Sequence, residues 1–491
     1  MENGNRAASS IKWSVLTELL VKLISPVTSM ILARLIDPKA FGVVSSILII
    51  TAFAEMFTDG GFQSYLIRHQ FRSDEEFSKY VSVVFWSNFG ISAFFVIGIF
   101  MLAPYLAGMI GVEEHTNAIQ GYSFILLLTS YSGTQYAVCR KKFKFKELGK
   151  MRIIGKLTSL FVTVPLAFLG LGFWAIIIGN IVSEAIIDLF LLIKPEEKIC
   201  FFYDLSCFVK MLHYSFGILL NSVVAFAMTN LSILLIGVVF GVYEQGIYQM
   251  AFNVVGQITS MITASTMGVF LSDLSLRQRE REGFNETVYQ YQQGIGIISI
   301  PLGVGFLVFR VFVTNVFLGD LYADAALLVG LLGFVICESI TFIEIGQNIC
   351  WAKGKPYYVV ISNSLQTILI FVVICMAREW DFQFFAIVLC VVKLQVTITH
   401  YLFARKSCGL SVVKSIGNLL PYYTASAVMG ASGICILKLS GKSTGVYIVG
   451  IILSVAVYAA VLFMIPRSRM VLSEYFCKIK STFMRVIHKD A

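Results

Sequence analysis

Charge is scarce in this chain. Aspartate, glutamate, lysine and arginine make up 14% of its 491 residues, where an ordinary soluble domain has about 25%, and that scarcity excludes a large water-soluble fold. The signatures of membrane-bound enzymes are missing too. There is no DxD metal motif, no sizeable soluble loop such as a membrane glycosyltransferase uses, and no GxxxxGK[ST] loop to cradle a nucleotide phosphate. His69, His115, His213, His400 and His488 are scattered, with no HExxH or Ser/His/Asp arrangement. The ten cysteines form no CxxC pair and lie mostly in apolar runs or basic loops, so they read as small apolar fillers and not as disulfide partners or metal ligands. No cofactor and no enzymatic activity are expected.

What replaces charge is apolar surface: hydrophobic residues fill 57% of positions and the mean hydropathy is +0.81. A bilayer span needs about 20 mostly apolar residues. Fourteen such stretches begin near positions 11, 41, 80, 117, 148, 173, 209, 243, 284, 323, 356, 382, 417 and 444. The first contains Glu18 and Lys22 and lacks a small-residue cleavage site, so it reads as a retained span and not a signal peptide. The expected fold is an all-α integral membrane protein of about 14 transmembrane helices.

Basic residues mark the cytoplasmic ends of short loops, and here they occupy every second connection. They include Arg68, Arg72 and Lys79, the run "RKKFKFKELGKMR" from 140 to 152, "RQRER" from 277, and "ARKSCG" from 404. The intervening connections hold only Lys39, Arg378, Lys438 and Lys442. Both termini are therefore expected inside. This orientation accounts for the net charge of +9, and no nucleic-acid partner is needed to explain it. The tail from 467 mixes aromatic with basic residues, the composition of a helix lying on anionic lipid or of a solvated tail.

A shift of 204 residues places Phe41 and Gly42 of "IDPKAFG" on Gln245 and Gly246 of "FGVYEQG", each ahead of a long span, and the loop rhythm repeats with it. This predicts a six-helix bundle over 1–203, another over 204–405, two additional lipid-facing spans over 406–466 and a basic tail over 467–491. Two bundles with a cleft between them is the transporter expectation.

Ionisable residues within spans cost about 2.5–3.5 kcal/mol on insertion scales and usually face the protein interior or water. The first span has Glu18 and Lys22, the second Glu55 and Asp59, the sixth Glu184 and Asp188, and the tenth Glu338 and Glu344 with Gln347 and Asn348. Glu18 and Lys22 are spaced to pair with one another. Two acids one turn apart cannot neutralise themselves, so Glu55 and Asp59 call for a cation, a proton or water nearby. In the eighth span Gln249, Asn253 and Gln257 recur every four residues, which aligns three carboxamides on one helix face. A carboxamide donates and accepts hydrogen bonds at once, as a sugar hydroxyl does. Pro26 and the glycine-flanked Pro301 are candidate bends or close-packing points.

The motifs "KWS", "LAR" followed by "IDPKAFG", and "DGGFQSYLIR" resemble the polysaccharide transporter family, the lipid-linked oligosaccharide flippases of the multidrug/oligosaccharidyl-lipid/polysaccharide exporter superfamily, and the colanic-acid type most nearly. "RKKFKF", "GIYQMAFNV" and "AKGKPYYVVISN" extend the resemblance over roughly residues 10 to 405. It implies fourteen helices in two pseudo-symmetric bundles, with spans 1, 2, 7 and 8 lining a central cavity. It also implies translocation of an undecaprenyl-pyrophosphate-linked glycan from the inner to the outer leaflet of the bacterial cytoplasmic membrane. Sugar contacts are then expected at Gln249, Asn253, Gln257 and Asn348, and a headgroup or anchoring role at Arg34. Glu55, Asp59, Glu344, Glu338, Glu18 and Lys22 are candidates for binding a coupling proton or sodium ion, or for acting as conformational latches. Expected partners are the lipid-linked oligosaccharide and membrane lipids, with a polysaccharide polymerase and a chain-length regulator as candidates. A cation-coupled multidrug exporter on the same fold is the competing expectation.

Overall fold

The computed structural model describes residues 2–59, 61–277, 281–440, 443–466 and 469, with the side chains of 2–16, 18, 19, 59, 221, 264–269, 272, 281, 282 and 440 outside that description. Every regular element among the described residues is helical. The chain forms two compact units, the first holding residues 1–257, 315–325 and 363–385 and the second 258–314, 326–362 and 386–491.

The first unit contains α1 (Glu2–Leu35), α2 (Pro38–Asp59), α3 (Phe62–Arg68), α4 (Asp74–Met109), α5 (Thr116–Ser123), α6 (Ile125–Lys141), α7 (Phe145–Phe168) and α8 (Phe173–Ile193). It continues with α9 (Leu205–Phe226), a π-helical segment at Ala227–Leu231, α10 (Ser232–Phe240) and the first half of α11 (Val242–Leu276). The second unit holds the rest of α11, then α12 (Arg281–Val308), α13 (Arg310–Phe317, whose last three residues return to the first unit), α14 (Ala326–Ser339) and α15 (Ile345–Ala352). A second π-helical segment, Ile340–Glu344, joins α14 to α15. α16 (Tyr357–Met376) and α17 (Phe382–Cys408) are each shared between the units, and α18 (Val412–Ser440) and α19 (Thr444–Met464) complete the second.

Local chemistry sets the helix starts. Asp37 accepts a hydrogen bond from the Ala40 N–H at 2.8 Å with Pro38 opening α2, so "IDPKA" is an N-cap followed by a proline that has no N–H to lose. Ser73 caps α4 by accepting from the Glu76 N–H, and Asp74, Glu75 and Glu76 place negative charge at its positive end. Asp204 caps α9 through the Ser206 N–H at 2.8 Å. At the α10 to α11 turn Gly241 takes φ +104°, in the region that favours glycine.

Eleven helical stretches among the described residues are long and apolar enough to cross a membrane. The other three expected spans coincide in position with α1, α5–α6 and α11. α6 is only 17 residues long, and α11 is diluted by Gln245, Gln249, Asn253 and Gln257. Polar residues are thus concentrated where hydropathy alone is weakest. The chain stays helical through Pro26 and Pro301, and beyond Pro301 Gly303 lets α12 approach α14, where an added Cβ would meet the Cys337 Cβ at 3.1 Å.

The basic connection after α6 is tied down by the protein. Lys142 pairs with Glu197 and Lys144 with Glu196, while Lys141 donates to the carbonyls of Ile67 and His69. Glu196 beside Lys144 raises the ammonium pKa above the ordinary lysine value. α18 and α19 keep an exposed apolar side, with Val428, Ile434, Ile452 and Val455 on it, and pack the other on α12: Leu419, Tyr422 and Tyr458 are buried with Ile300, and the Tyr458 hydroxyl donates to the Ile297 carbonyl at 2.8 Å.

Candidate functional site: a charged cavity and a carboxamide stripe

Inside the first unit α1, α2, α5, α6, α7 and α8 enclose a cavity of about 470 Å³. α7 contributes Arg152, Lys156 and Ser159, spaced four and three, and α8 contributes Asn180, Ser183 and Glu184, spaced three and one, so each helix turns one polar face to the cavity. Glu55 enters from α2. The wall thus carries two carboxylates and two cations, which answers the requirement that Glu55 have a compensating charge near it. Ser132 donates to Glu184, and Ser183 donates to the Gly155 carbonyl at 2.8 Å, which fixes α6 and α7 against α8. Asp188, one turn beyond Glu184, is buried.

The cavity composition was only partly legible in advance. Glu55, Glu184 and Lys156 stand out as charges within spans. Arg152 reads in the sequence as the end of a basic loop, and the i, i+4 relation to Lys156 was the signal that both share a face. The side chains of Glu18 and Asp59 lie outside the described residues. Lys22 is half-buried on α1 and engaged with the protein.

The carboxamide stripe runs along α11. Gln249 donates to Asn253 at 2.9 Å, and Gln257 donates to the Ser29 hydroxyl on α1 at 3.0 Å. Gln245, one turn earlier in the same spacing, is 1% exposed and accepts from the Ser46 hydroxyl of α2 at 2.9 Å. It extends the stripe to four carboxamides, and the same four-residue period would have found it. Gln249 and Asn253 remain half-buried, with donor and acceptor capacity beyond their mutual bond.

Around the N-terminal turns of α2 and α11 the backbones almost touch. A Cβ added at Gly42 would collide with the Val242 carbonyl, and one added at Gly246 would collide with the Pro38 carbonyl. The contact is reciprocal, and it joins the two glycines that the 204-residue shift superposes. Nearby, Arg34 spends two guanidinium N–H groups on carbonyls, Met30 at 3.0 Å and Val316 at 2.8 Å, and the buried Tyr322 hydroxyl donates to the Ile36 carbonyl at 3.1 Å. Arg34 therefore straps the end of α1 to the 315–325 segment.

Glu338, Glu344 and Asn348 belong to the second unit. Tyr423 of α18 donates to Glu338 at 2.5 Å, and the Ser299 and Thr341 hydroxyls share a hydrogen bond of 2.6 Å. Asn348, 3% exposed, donates to the Glu344 carbonyl at 2.7 Å, across the end of the π-helical segment. Such segments often mark functional positions in helices. Among the described residues no three His, Cys, Asp or Glu side chains converge as a metal site would require.

Residues 31–327, more than half of the chain, match the polysaccharide biosynthesis protein family. The chain is 24% identical over 330 residues to the succinoglycan biosynthesis transport protein ExoT of Rhizobium meliloti (strain 1021), an alignment covering 67% of this chain and 66% of that one. It is 22% identical over 318 residues to the lipopolysaccharide biosynthesis protein WzxC of Escherichia coli (strain K12), covering 63% and 62%. Each alignment thus spans under two thirds of the relative's length. Among solved structures, the lipid II flippase MurJ in an inward closed conformation superposes with a TM-score of 0.73 over 93% of this chain and 99% of that one, at 14% identity. The chain is a multi-pass membrane protein that shares its fold with that solved structure, and it belongs to the polysaccharide biosynthesis protein family.

Proposed function

We propose that this protein is a flippase that carries an oligosaccharide repeat unit, linked to a polyprenyl pyrophosphate, from the inner to the outer leaflet of the cytoplasmic membrane for O-antigen, capsule or exopolysaccharide assembly. The observation that carries this reading is the carboxamide stripe Gln245, Gln249, Asn253 and Gln257 on α11. Ser46 and Ser29 engage Gln245 and Gln257, and the half-buried Gln249 and Asn253 keep donor and acceptor capacity beyond their mutual bond, which fits sugar hydroxyls better than it fits a cationic drug. Family membership and the transporter fold support the same conclusion.

In this reading the glycan rides against the stripe, Asn348 is a candidate sugar contact within its own unit, and the carrier works by alternating access. Glu55 and Glu184, beside Arg152 and Lys156, form a charge-balanced cavity that takes up or releases a proton or sodium ion as its helices shift. Polymerase and chain-length regulator are the partners that would receive the delivered unit.

A deletion strain tests this. Surface glycan should be lost and the lipid-linked precursor retained on the inner leaflet, with wild type restoring both and a Gln249→Leu/Asn253→Leu variant of equal abundance failing to. Unchanged glycan and precursor in a strain with no second flippase, together with altered accumulation of amphipathic cations, would instead assign the drug-exporter activity.

A further inference from the structure

The first unit has a second concavity of about 510 Å³, sharing no wall residue with the charged cavity, whose walls include Trp86, Gly90 and Phe94 of α4, Tyr203 of the connection before α9 and Phe208 of α9. It is a built feature. The Trp86 indole N–H donates to the Cys200 carbonyl at 3.0 Å, the Cys200 N–H donates to the Ser82 hydroxyl at 3.0 Å, and Ser87 donates to the Tyr203 hydroxyl at 3.3 Å. Those bonds hold a non-helical stretch of chain along α4. Its backbone could not face hydrocarbon unsatisfied, so the lower end of the groove sits at the headgroup layer. Phe201, 96% exposed and packed on Trp86 with ring centroids 4.6 Å apart, marks the same level.

Along α4, Ser82, Trp86, Gly90 and Phe94 recur every four residues in line with Lys79, so the groove climbs from a lysine at the cytoplasmic end to about 22 Å up the helix. Gly90 is the notch in this line: a Cβ added there meets nothing within 4 Å. Lys198 and Lys210, both exposed, lie two residues along the chain from Cys200 and Phe208, with Asp204, the cap of α9, between them. An apolar slot above and cations below is the charge pattern of an amphiphile with a long hydrocarbon chain and an anionic head.

We propose that this groove holds the first isoprene units of the substrate's polyprenyl carrier, with the pyrophosphate at Lys198 and Lys210, so that the lipid is captured there before glycan and pyrophosphate move together. This deepens the function proposed above and rests on it. A polyprenyl chain is methyl-branched and stiffened by its double bonds. It therefore fills a notched aromatic wall and loses less freedom on docking than a saturated acyl chain does, and a pyrophosphate engages two lysines more strongly than a phosphodiester does.

The test uses the purified full-length protein in nanodiscs of phosphatidylethanolamine and phosphatidylglycerol, photolabelled with a diazirine-bearing geranylgeranyl pyrophosphate and mapped by mass spectrometry. Labels should fall on residues 86–94 and 201–208. Unlabelled geranylgeranyl pyrophosphate should compete for them and added phosphatidylglycerol should not. Gly90→Phe should lower that labelling about tenfold, the effect of removing about 1.4 kcal/mol of apolar contact. Gly445→Phe, on α19 where an added Cβ also meets nothing, should leave it unchanged, and the surface pair Lys198→Glu/Lys210→Glu should weaken it severalfold. Labelling that ignores Gly90→Phe and the lysine pair, or that phosphatidylglycerol displaces equally well, overturns the proposal. Competable label found only elsewhere removes the groove but leaves the flippase reading standing. No competable label anywhere removes both.

Discussion

The reciprocal glycine contact between α2 and α11 yields a prediction with a calculable size. In Gly42→Ala or Gly246→Ala the new methyl group points at a backbone carbonyl, Val242 or Pro38, well inside van der Waals distance, and a helix backbone cannot step aside as a side chain can. Overpacking of this kind costs about 1–3 kcal/mol, and it is charged only to the state in which the two helix ends meet. That contact lies within the first unit, next to connections that the basic-residue rule puts outside, so in a carrier whose α2 and α11 part there it belongs to the outward-closed state. Each substitution should therefore shift the population toward outward-open by about 5- to 150-fold. Ser46, 0% exposed and bonded to Gln245 one turn behind Gly42, is the reporter. With the ten native cysteines replaced, a Ser46→Cys protein should react with a membrane-impermeant maleimide added outside at a rate that rises by that factor in either glycine variant. Gly98→Ala should not move it. Folded Gly42→Ala and Gly246→Ala proteins that label Ser46→Cys at the parental rate would refute the reasoning, because the close approach would then constrain nothing.

Two further outcomes follow from the buried polar groups. Glu184→Leu removes the acceptor of the buried Ser132 hydroxyl, and leaving a buried donor unsatisfied costs about 1–3 kcal/mol. The variant should melt lower in detergent, Glu184→Leu/Ser132→Ala should recover part of the loss, and equal melting of all three would show that this bond does not anchor α8 to α6. Tyr423→Phe removes the donor to Glu338 and should cost about 1.5–3 kcal/mol, read as a lower melting temperature that Glu338→Leu added to Tyr423→Phe partly restores; a Tyr423→Phe protein as stable as wild type would show that the bond holds nothing.

How much of this was legible in the sequence depends on the range of the interaction. Span positions followed from composition, because lipid demands an unbroken apolar run whatever the neighbours are. Helix starts such as "IDPKA" were legible for the same local reason. The 204-residue shift picked out Gly42 and Gly246 as counterparts, yet only the structure placed them against each other. Arg152, Asn180 and Ser183 could be assigned to helix faces, but which faces meet across a cavity is a long-range outcome that periodicity does not encode. Tyr423 and Glu338 lie 85 residues apart, and nothing local to either names the other. α18 is apolar on the side it packs against α12 and on the side it exposes, so composition does not say which residues meet α12.

The central claim is movement of a lipid-linked sugar across a bilayer, and reconstitution tests it most directly. Purified protein in liposomes carrying a fluorescent polyprenyl-pyrophosphate oligosaccharide in both leaflets should make the inner pool accessible to a sugar-oxidising or bleaching reagent added outside. That accessibility should depend on Gln249 and Asn253, and a phosphatidylcholine reporter should stay put. Equal movement of both lipids would identify a scramblase, and no movement of the glycolipid under a proton or sodium gradient of either direction would contradict the account.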